Sequence, residues 1–560
     1  MEKHYFFDRN LLALSAYNAP LCGQLSAALT TKGHYRFVEA RDGAALPAWV
    51  DKTGAAHVLH SLVAPEREAE KLVNAQGGGG FIIIMGLGAA YLAEAALAKG
   101  GVEKVVVIDY NINSVAELIC SKDYVSLFGD IRFTLLVDPP PAFLEKYITE
   151  CYHPSVHNGL CVIPLRSRCE FDMAAFLAAS EAVRAALERL SSDYSVQAHF
   201  GTRWFSNIIR NLFAAENQHG VLAPIHRAAV CAAGPSLDLQ LDALRAKRGG
   251  AFVIATDTAL GTLLAADMPP DAVISIDCQH ISYHHFLNAD FFSRDIPLFL
   301  DLASPPLLAG GARKSFFFSG GHPLARYIDS NFKEFLKLDT SGANVTYAAV
   351  SLAERLGAKT IELYGADFSY PEGMTYTRGA YFYPYLRNRA RRFNPAFAQL
   401  SAFIYAIPSL EKHKTQSGFR YETRSLAMYS QKLDELSSRS AAVITHAGAA
   451  RARSKPPENS AENTIKLFGS GRTQSGAKEF LEHYCELIAA LPLPDSNIEK
   501  YLSSLSPKQR AVFFTLLPTA AGIKKRRSIA ENAVLIEQLK IWCLNEIENL
   551  LRARDGSKSL

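Results

Sequence analysis

Residues 228–237 read AAVCAAGPSL, residues 251–257 AFVIATD and residues 271–277 DAVISID. Each is an unbroken apolar run closed by a turn or an acid. A strand buried on both faces of a parallel sheet reads this way, whereas a half-exposed strand alternates. The segments between them are helical, around Asp238–Ala246 and over TALGTLLAAD at 258–267. PLFLDL (297–302), KSFFFS (314–319) and TIELYGADF (360–368) extend the series, and a helix is predicted over Asn344–Leu356. Strands alternating with helices at this spacing specify a doubly wound parallel sheet. Residues 226–447 therefore read as one nucleotide-binding α/β domain.

Upstream, FIIIM (81–85), GLGAAY (86–91), a helical run to Gly100 and VEKVVVIDYN (102–111) repeat the strand, glycine turn, helix, strand order. This predicts a second Rossmann-like unit over 76–190, preceded by a small N-terminal region, 1–75. Residues 172–215 read as helical through Phe176, Ala179, Val183, Ala186 and Leu190, and HFGTRWFSNIIRNLF lies in a connector at 191–225. Residues 448–477, rich in Ser, Gly, Pro and Arg, read as a linker. Residues 478–560 read as a helical C-terminal domain, with Leu535, Leu539, Trp542, Ile547 and Leu550 near one face. The fold class is thus α/β, two Rossmann-like parallel-sheet units with a C-terminal α-helical domain; 560 residues exceed what one core holds.

Fifty-nine basic against 55 acidic residues give no support to a duplex-binding protein. Nine scattered cysteines without a C-x-x-C pair argue against a disulfide framework or a structural zinc, and fit a reducing, cytoplasmic setting. The opening carries Glu2 and Asp8 and lacks the order of a signal peptide. The most apolar stretch, Phe81–Ala98, is interrupted by Gly86, Gly88 and Glu94, so no membrane span is expected.

Two glycine turns stand where ligands bind. Gly86 and Gly88, with Asp109 ending the next strand, form the skeleton of a dinucleotide or S-adenosylmethionine site. Tyr91 replaces the third glycine and Met85 the acid often placed before the loop. The other reading, a turn needed only for helix–sheet packing, stays open. In the second turn, Pro235 fixes φ at a helix entrance, Ser236 is placed to cap the helix, and the first-turn N–H groups favour a phosphate. Asp257, Asp277, Ser341-Gly342 and Gly365-Ala366-Asp367 follow the later strands. In an open parallel sheet, such positions converge on the crevice at the strands' carboxyl ends.

GPSL after an apolar strand, followed by SGANVTYAAVSLAERLGAKTIELYGADFSYPEGMTY at 341–376, resembles the bacterial sialyltransferase pattern. It is also similar to the Rossmann-like domain shared by flagellin-modifying motility accessory factors and archaeal 6-hydroxymethylpterin pyrophosphokinase. The first α/β unit and WFSNIIRNL extend the motility accessory factor likeness over most of residues 75–450. The resemblance implies that Gly234, Pro235 and Ser236 hold the phosphate of a nucleotide-activated sugar. It places Asp257 where sialyltransferases keep an amide on the nucleotide. Ser341, Gly342, Gly365 and Asp367 would lie by the donor, and Tyr376 near the leaving phosphate. Ala233 departs from the usual Asn before GPS, and the general-base His has no clear match. Asp367, His413 and the group His280, His284 and His285 are candidates for that base.

His280 and His284 have a spacing that suits a metal, but no carboxylate completes an H-E-x-x-H pattern, so no metal is expected. The segment Tyr370–Phe393, with Tyr376, Arg378, Tyr381, Tyr383, Tyr385, Arg387, Arg389, Arg391 and Arg392, reads either as a loop closing over an anionic donor or as a solvated surface. The expected function is transfer of a nonulosonic sugar from a CMP-activated donor substrate to flagellin, or another protein acceptor, without a tightly bound cofactor. Two alternatives are a pterin diphosphotransferase holding Mg2+ on Asp257 and Asp277, and a non-catalytic protein that binds nucleotide sugars.

Overall fold

The computed structural model describes residues 2–77, 79–216, 218, 220–287, 290–415, 418–447, 465–466, 476–495 and 497–557. The linker expected at 448–477 lies outside these residues except for 465–466, Gly476 and Ala477. The chain divides into two compact units. One comprises Met1–Thr202 with Ile488–Cys543, the other Arg203–Leu487 with Leu544–Leu560.

In the first unit, β1 (Tyr35–Glu39), β2 (Ala45–Val50) and β3 (Ala56–Val58) form an antiparallel sheet. A parallel sheet follows, built from β4 (Phe81–Met85), β5 (Lys104–Asp109), β6 (Phe133–Val137) and β7 (Leu160–Pro164) in the order β6-β5-β4-β7. FIIIM is buried at every position of β4. Ile82 and Ile84 enter one core, while Phe81, Ile83 and Met85 enter the other. This two-sided burial is why the run does not alternate. Phe7, Leu25 and Trp49 share the Ile82 core, so the first 75 residues are built into this unit. The C-terminal helices Ile498–Ser504 and Pro507–Arg527 also belong to it, and the Ile498 N–H donates to Glu103 Oε2 at 2.7 Å. Lys524, in the basic run at the end of the second helix, donates to the Ser155 carbonyl at 3.1 Å. The helices expected as one C-terminal domain are thus divided between the units.

A 44-residue helix, Met173–Glu216, runs through the predicted boundary at 190. Its second-unit end explains the amides of WFSNIIRNL. Asn207 donates to the carbonyls of Cys278 (3.1 Å) and Ala303 (2.8 Å), and Asn211 to those of Leu302 and Ser304 (both 2.8 Å). These amides satisfy buried carbonyls that the sheet ladder leaves unpaired.

The second unit holds an eight-stranded, wholly parallel sheet. After β8 (Val221–Leu222), its strands in chain order are β9 (Arg227–Cys231), β10 (Phe252–Thr256), β11 (Ala272–Ser275), β12 (Leu298–Asp301), β13 (Ser315–Ser319), β14 (Leu336–Lys337), β15 (Thr360–Tyr364) and β19 (Val443–His446). Their spatial order is β14-β13-β12-β11-β10-β9-β15-β19. The chain lays down β9 to β14 in one direction, then returns to place β15 on the other side of β9. The reversal between β9 and β15 is a topological switch point, where neighbouring crossovers diverge and open a crevice. The helix Val345–Arg355, capped by Asn344, packs on β9, β10 and β11 and is buried from Thr346 to Ala353. Between β15 and β19 the chain adds β16 (Tyr370–Pro371), β17 (Glu411–Lys414) and β18 (Phe419–Glu422), an antiparallel sheet in the order β16-β18-β17.

Candidate functional site

The turn after β9 and the turn after β15 meet at the switch point. The Gly234 N–H donates to the Gly365 carbonyl at 2.8 Å, and the Ser236 N–H to Asp367 Oδ2 at 2.9 Å. Both glycines are required by contact. A Cβ on Gly234 would lie 2.5 Å from the Gly365 oxygen, and one on Gly365 would lie 2.3 Å from the Ala232 oxygen. Gly365 also has φ +63°, the left-handed region. The Ser236 side chain makes no cap bond to the helix Leu237–Lys247. This corrects the sequence expectation: Ser236 has helical backbone angles (φ −62°, ψ −20°) rather than the extended ones of a capping serine, and its own N–H is taken by Asp367 from the turn after β15. The N–H groups of Leu237, Asp238 and Leu239 bond the carbonyls of Gly234, Pro235 and Ser236 at 3.1–3.2 Å. They are not the free donors expected of the first turn. The Ser236 N–H alone among these reaches across the crevice, and a carboxylate holds the place an anionic ligand takes at a helix start.

Two further carboxylates follow the next strands. Asp257 is the first residue of the helix Asp257–Ala265. Its Oδ1 accepts the Thr258 N–H at 2.7 Å, and its Oδ2 accepts the Ser275 hydroxyl at 2.6 Å. Asp277, two residues beyond β11, accepts the Gln279 N–H at 3.0 Å. Burial pushes the Asp277 carboxyl upward; the Gln279 N–H opposes this, and the nearby Asp257 charge adds to it.

Residues 376–381 cross this edge as a strap. The Thr377 N–H donates to the Ala233 carbonyl at 2.9 Å, and the Thr377 hydroxyl bonds Asp238. Gly379 lies directly on the next helix, since a Cβ there would sit 2.5 Å from Thr262 Cα. Burial raises the Tyr376 phenol to about 12, with smaller contributions from Tyr370, Tyr381 and Asp257. Tyr381 is raised by burial, then by Tyr385, Asp257 and Asp277. The His285 ring meets the Tyr381 ring edge-on at 4.4 Å, and its Nδ1 is buried with no hydrogen-bond partner among the described residues. Beside them opens a pocket of about 320 Å³ lined by His284, Leu287, Tyr381, Tyr385, Asn388 and Arg389.

Three further expected residues make other contacts. The exposed Ser341 gives its carbonyl to Lys432 at 2.7 Å, beside the helix Arg424–Arg439. Gly342 makes room for Tyr347, because a Cβ would lie 2.2 Å from that ring. His413 sits on the β17–β18 hairpin, 3.6 Å from Glu411 and 3.8 Å from Glu422.

Two groups at the same sheet edge escaped the sequence reading. Asp301 ends β12, accepts the Ala303 N–H at 2.8 Å, and is raised by burial to about 6. Its signal was present, since PLFLD repeats the apolar run and acid of AFVIATD. His322 caps the helix Pro323–Asn331 through Nδ1, and burial, then Arg326, depress it to about 3. A lone His after SGG gave no comparable signal.

The first unit bears on its open alternative. Asp109 Oδ2 takes the Leu87 N–H and His60 Nε2 the Ala89 N–H, both at 2.8 Å. Arg168, fully buried, pairs with Asp109 (2.8 Å) and Asp172 (2.7 Å). A Cβ on Gly86 would strike Arg168 at 2.8 Å, and one on Gly88 would strike His60 at 2.4 Å. The Leu87 and Ala89 donors and the space above both glycines are taken by protein groups, which favours the packing reading of this turn.

The family described as 6-hydroxymethylpterin diphosphokinase MptE-like matches residues 206–373. Two uncharacterized proteins of Treponema pallidum (strain Nichols) are relatives, each 33% identical. One aligns over 142 residues, 25% of this chain and 68% of its own length. The other aligns over 120 residues, 21% of this chain and 42% of its own. A solved structure of a MAf glycosyltransferase from Magnetospirillum magneticum AMB-1 superposes at a TM-score of 0.61 with 14% identity, over 98% of this chain and 95% of that one. Residues 206–373 thus carry an MptE-like domain. The MptE-like match takes in Gly234, Asp257, Asp277, Ser341, Gly365 and Asp367, and it ends before the Tyr376 strap and His413. The MptE-like domain thus contributes the switch-point turns and the His284 and Leu287 side of the pocket, while the strap, the arginines and the rest of the pocket wall come from the sequence that follows. At 14% identity the superposition establishes a shared fold. Among the described residues, no helix is long and apolar enough to cross a membrane.

Proposed function

We propose that the protein is a glycosyltransferase that moves a nonulosonic, sialic-acid-like sugar from a CMP-activated donor to a serine or threonine hydroxyl of flagellin in the cytoplasm. The Ser236–Asp367 contact across the switch point carries this reading, because it puts a charged group and a helix start where parallel sheets bind nucleotides. In the proposed mechanism the donor phosphate replaces the Asp367 carboxylate at the Ser236 N–H, and the released Asp367 turns to the donor sugar. Tyr376, which burial keeps protonated, donates to the leaving phosphate. The acceptor oxygen attacks the anomeric carbon, the carbon–oxygen bond to phosphate breaks, and CMP departs with the electron pair. His285 takes the hydroxyl proton, and Asp277 steadies the resulting imidazolium. His285 is preferred to His413 because it meets the strap at Tyr381, whereas His413 faces Glu411 and Glu422. Ser341 and Gly342 then shape the flank of the site through the Arg424–Arg439 helix.

The family description favours a second reading, diphosphate transfer to a pterin with Mg2+ on Asp257 and Asp277. The residues fit that ion poorly. Both Asp257 oxygens already accept hydrogen bonds, and Asp277 Oδ1 is taken by the Gln279 N–H.

A thermal-shift comparison of CMP and ATP, each with and without magnesium, separates the readings. Stabilisation by CMP alone, with donor turnover lost in Asp367→Ala, is the expected outcome. Stabilisation only by ATP with magnesium would replace the transferase with the diphosphotransferase.

A further inference from the structure

Residues 373–410 contain five arginines (Arg378, Arg387, Arg389, Arg391 and Arg392) and neither a lysine nor an acidic residue. Without them the remaining sequence, 54 basic against 55 acidic residues, would be one charge negative. The positive balance of the chain is therefore concentrated in this one segment. Four of the arginines lie on or just after the helix Phe382–Arg389, and all four are exposed. Among the described residues no carboxylate pairs with Arg387, Arg391 or Arg392.

The same surface carries aromatic rings in solvent. Phe393 is 95% exposed and Phe397 79%, the highest values of any Phe or Tyr among the described residues. The segment is nonetheless well formed. Arg391 and Asn394 exchange two backbone hydrogen bonds of 3.0 Å, holding Arg392 and Phe393 at the tip of a tight turn, and the helix Ala396–Tyr405 follows directly. Unpaired guanidinium groups interleaved with exposed phenyl rings on a fixed turn are the composition of a recognition surface, where Arg and aromatic anchors dominate.

We propose that the surface formed by Arg387, Arg391, Arg392, Phe393 and Phe397 docks an acidic polypeptide segment that also bears apolar side chains. Carboxylates pair with the arginine forks, and apolar side chains cover the two phenyl rings. The pocket decides between a polypeptide and an anionic lipid surface. The helix that carries Arg387 also carries Tyr385, Asn388 and Arg389 of the pocket wall. A polypeptide held on the arginines delivers one side chain to a space of about 320 Å³, whereas a bilayer laid on them would cover the mouth. That this partner is the acceptor of the sugar rests on the transferase reading; the docking surface itself does not.

The test uses the full-length protein and a fluorescein-labelled peptide of Glu, Leu and Ser residues, followed by anisotropy. The expected result is binding that weakens at least tenfold from low to physiological salt, as charge pairing across an exposed surface requires. It should weaken at least tenfold again in Arg391→Glu/Arg392→Glu, and separately in Phe393→Ser/Phe397→Ser. All four side chains are exposed, so both variants should keep the wild-type melting temperature. The proposal is overturned if the variants bind the peptide like wild type, or if a Lys-for-Glu version of the peptide binds equally well. Variant-sensitive binding to phosphatidylglycerol vesicles without peptide binding would also overturn it. Peptide binding by a protein that gives no CMP thermal shift would keep the docking surface and remove the transferase reading.

Discussion

Replacing Gly234 with alanine tests whether the two turns at the switch point are closed as tightly as the contacts state. The new Cβ would lie 2.1 Å from Asp367 Oδ2 and 2.5 Å from the Gly365 carbonyl oxygen, where ordinary contact begins at 3.4 Å. Asp367 can rotate away, but it then leaves the Ser236 N–H, a charged hydrogen bond of about 1.5–3 kcal/mol. The Gly365 oxygen belongs to the backbone after β15 and has no such freedom. β9 and β15 must part by about 0.9 Å, an overpacking strain of about 1–3 kcal/mol. Together these give about 2.5–6 kcal/mol, or a fall in Tm of roughly 5–20 °C for a domain of this size. Gly249→Ala is the internal control. It lies in the short 3-10 turn Arg248–Gly250, where an added Cβ would meet nothing within 4 Å, so its effect should stay within about 0.5 kcal/mol. Differential scanning calorimetry reads the stability of each variant, and isothermal titration reads CMP binding. A Gly234→Ala protein that melts with wild type and binds CMP equally would refute the reasoning. One that melts lower yet keeps wild-type CMP affinity would leave the turn a structural feature only.

Asp301 should make stability fall as pH rises from about 4 to 6. Its folded pKa of about 6 exceeds the ordinary 3.8, so in that window the folded state binds more protons than the unfolded one, at a cost of about 1–3 kcal/mol. Asp301→Asn should flatten that part of the Tm–pH profile, and an unchanged slope would deny the burial. Arg168→Ala leaves Asp109 buried without its cation and should cost about 3–5 kcal/mol in urea unfolding. A loss below about 1 kcal/mol would mean that the ion pair does not close the first glycine turn. NAD and S-adenosylmethionine should leave Tm unchanged, although a ligand at 100 times its Kd adds about 2.7 kcal/mol. A rise with either would reopen the first unit as a binding site.

The parallel sheets were legible because burial on both faces forces unbroken apolar runs, and FIIIM and AFVIATD cannot be mistaken for half-exposed strands. Strand order was partly legible, since alternation with helices implies parallel pairing but does not say where the chain reverses. That reversal decides which strand ends share a crevice. Gly234 and Asp367 therefore come together as expected, while Ser341 and Gly342 lie beside the Arg424–Arg439 helix. The partners of the first-turn N–H groups were invisible for a related reason. Asp367 is 131 residues from Ser236, and no local rule places its carboxylate on that donor. Asp301 had a legible pattern, yet its importance comes from burial, which only the packed sheet reveals.

The two glycine turns carry the same local signal and differ in what the rest of the chain brings to them. After β4, the Leu87 and Ala89 N–H groups are taken by Asp109 and His60, and the buried Arg168 neutralises Asp109 from above. Displacing Asp109 or Arg168 would strand a buried charge, which costs more than a phosphate contact returns. After β9, among the described residues the Ser236 N–H is held by Asp367 alone, a half-exposed carboxylate with no arginine partner like the one on Asp109. An incoming anion there exchanges one carboxylate for another negative group, and the carboxylate it releases turns, in the proposed mechanism, to the donor sugar rather than into a core. Whether a glycine-rich turn is a site or a hinge of packing is therefore set by the cost of removing its present partner. By that measure the second turn is open to a ligand and the first is not.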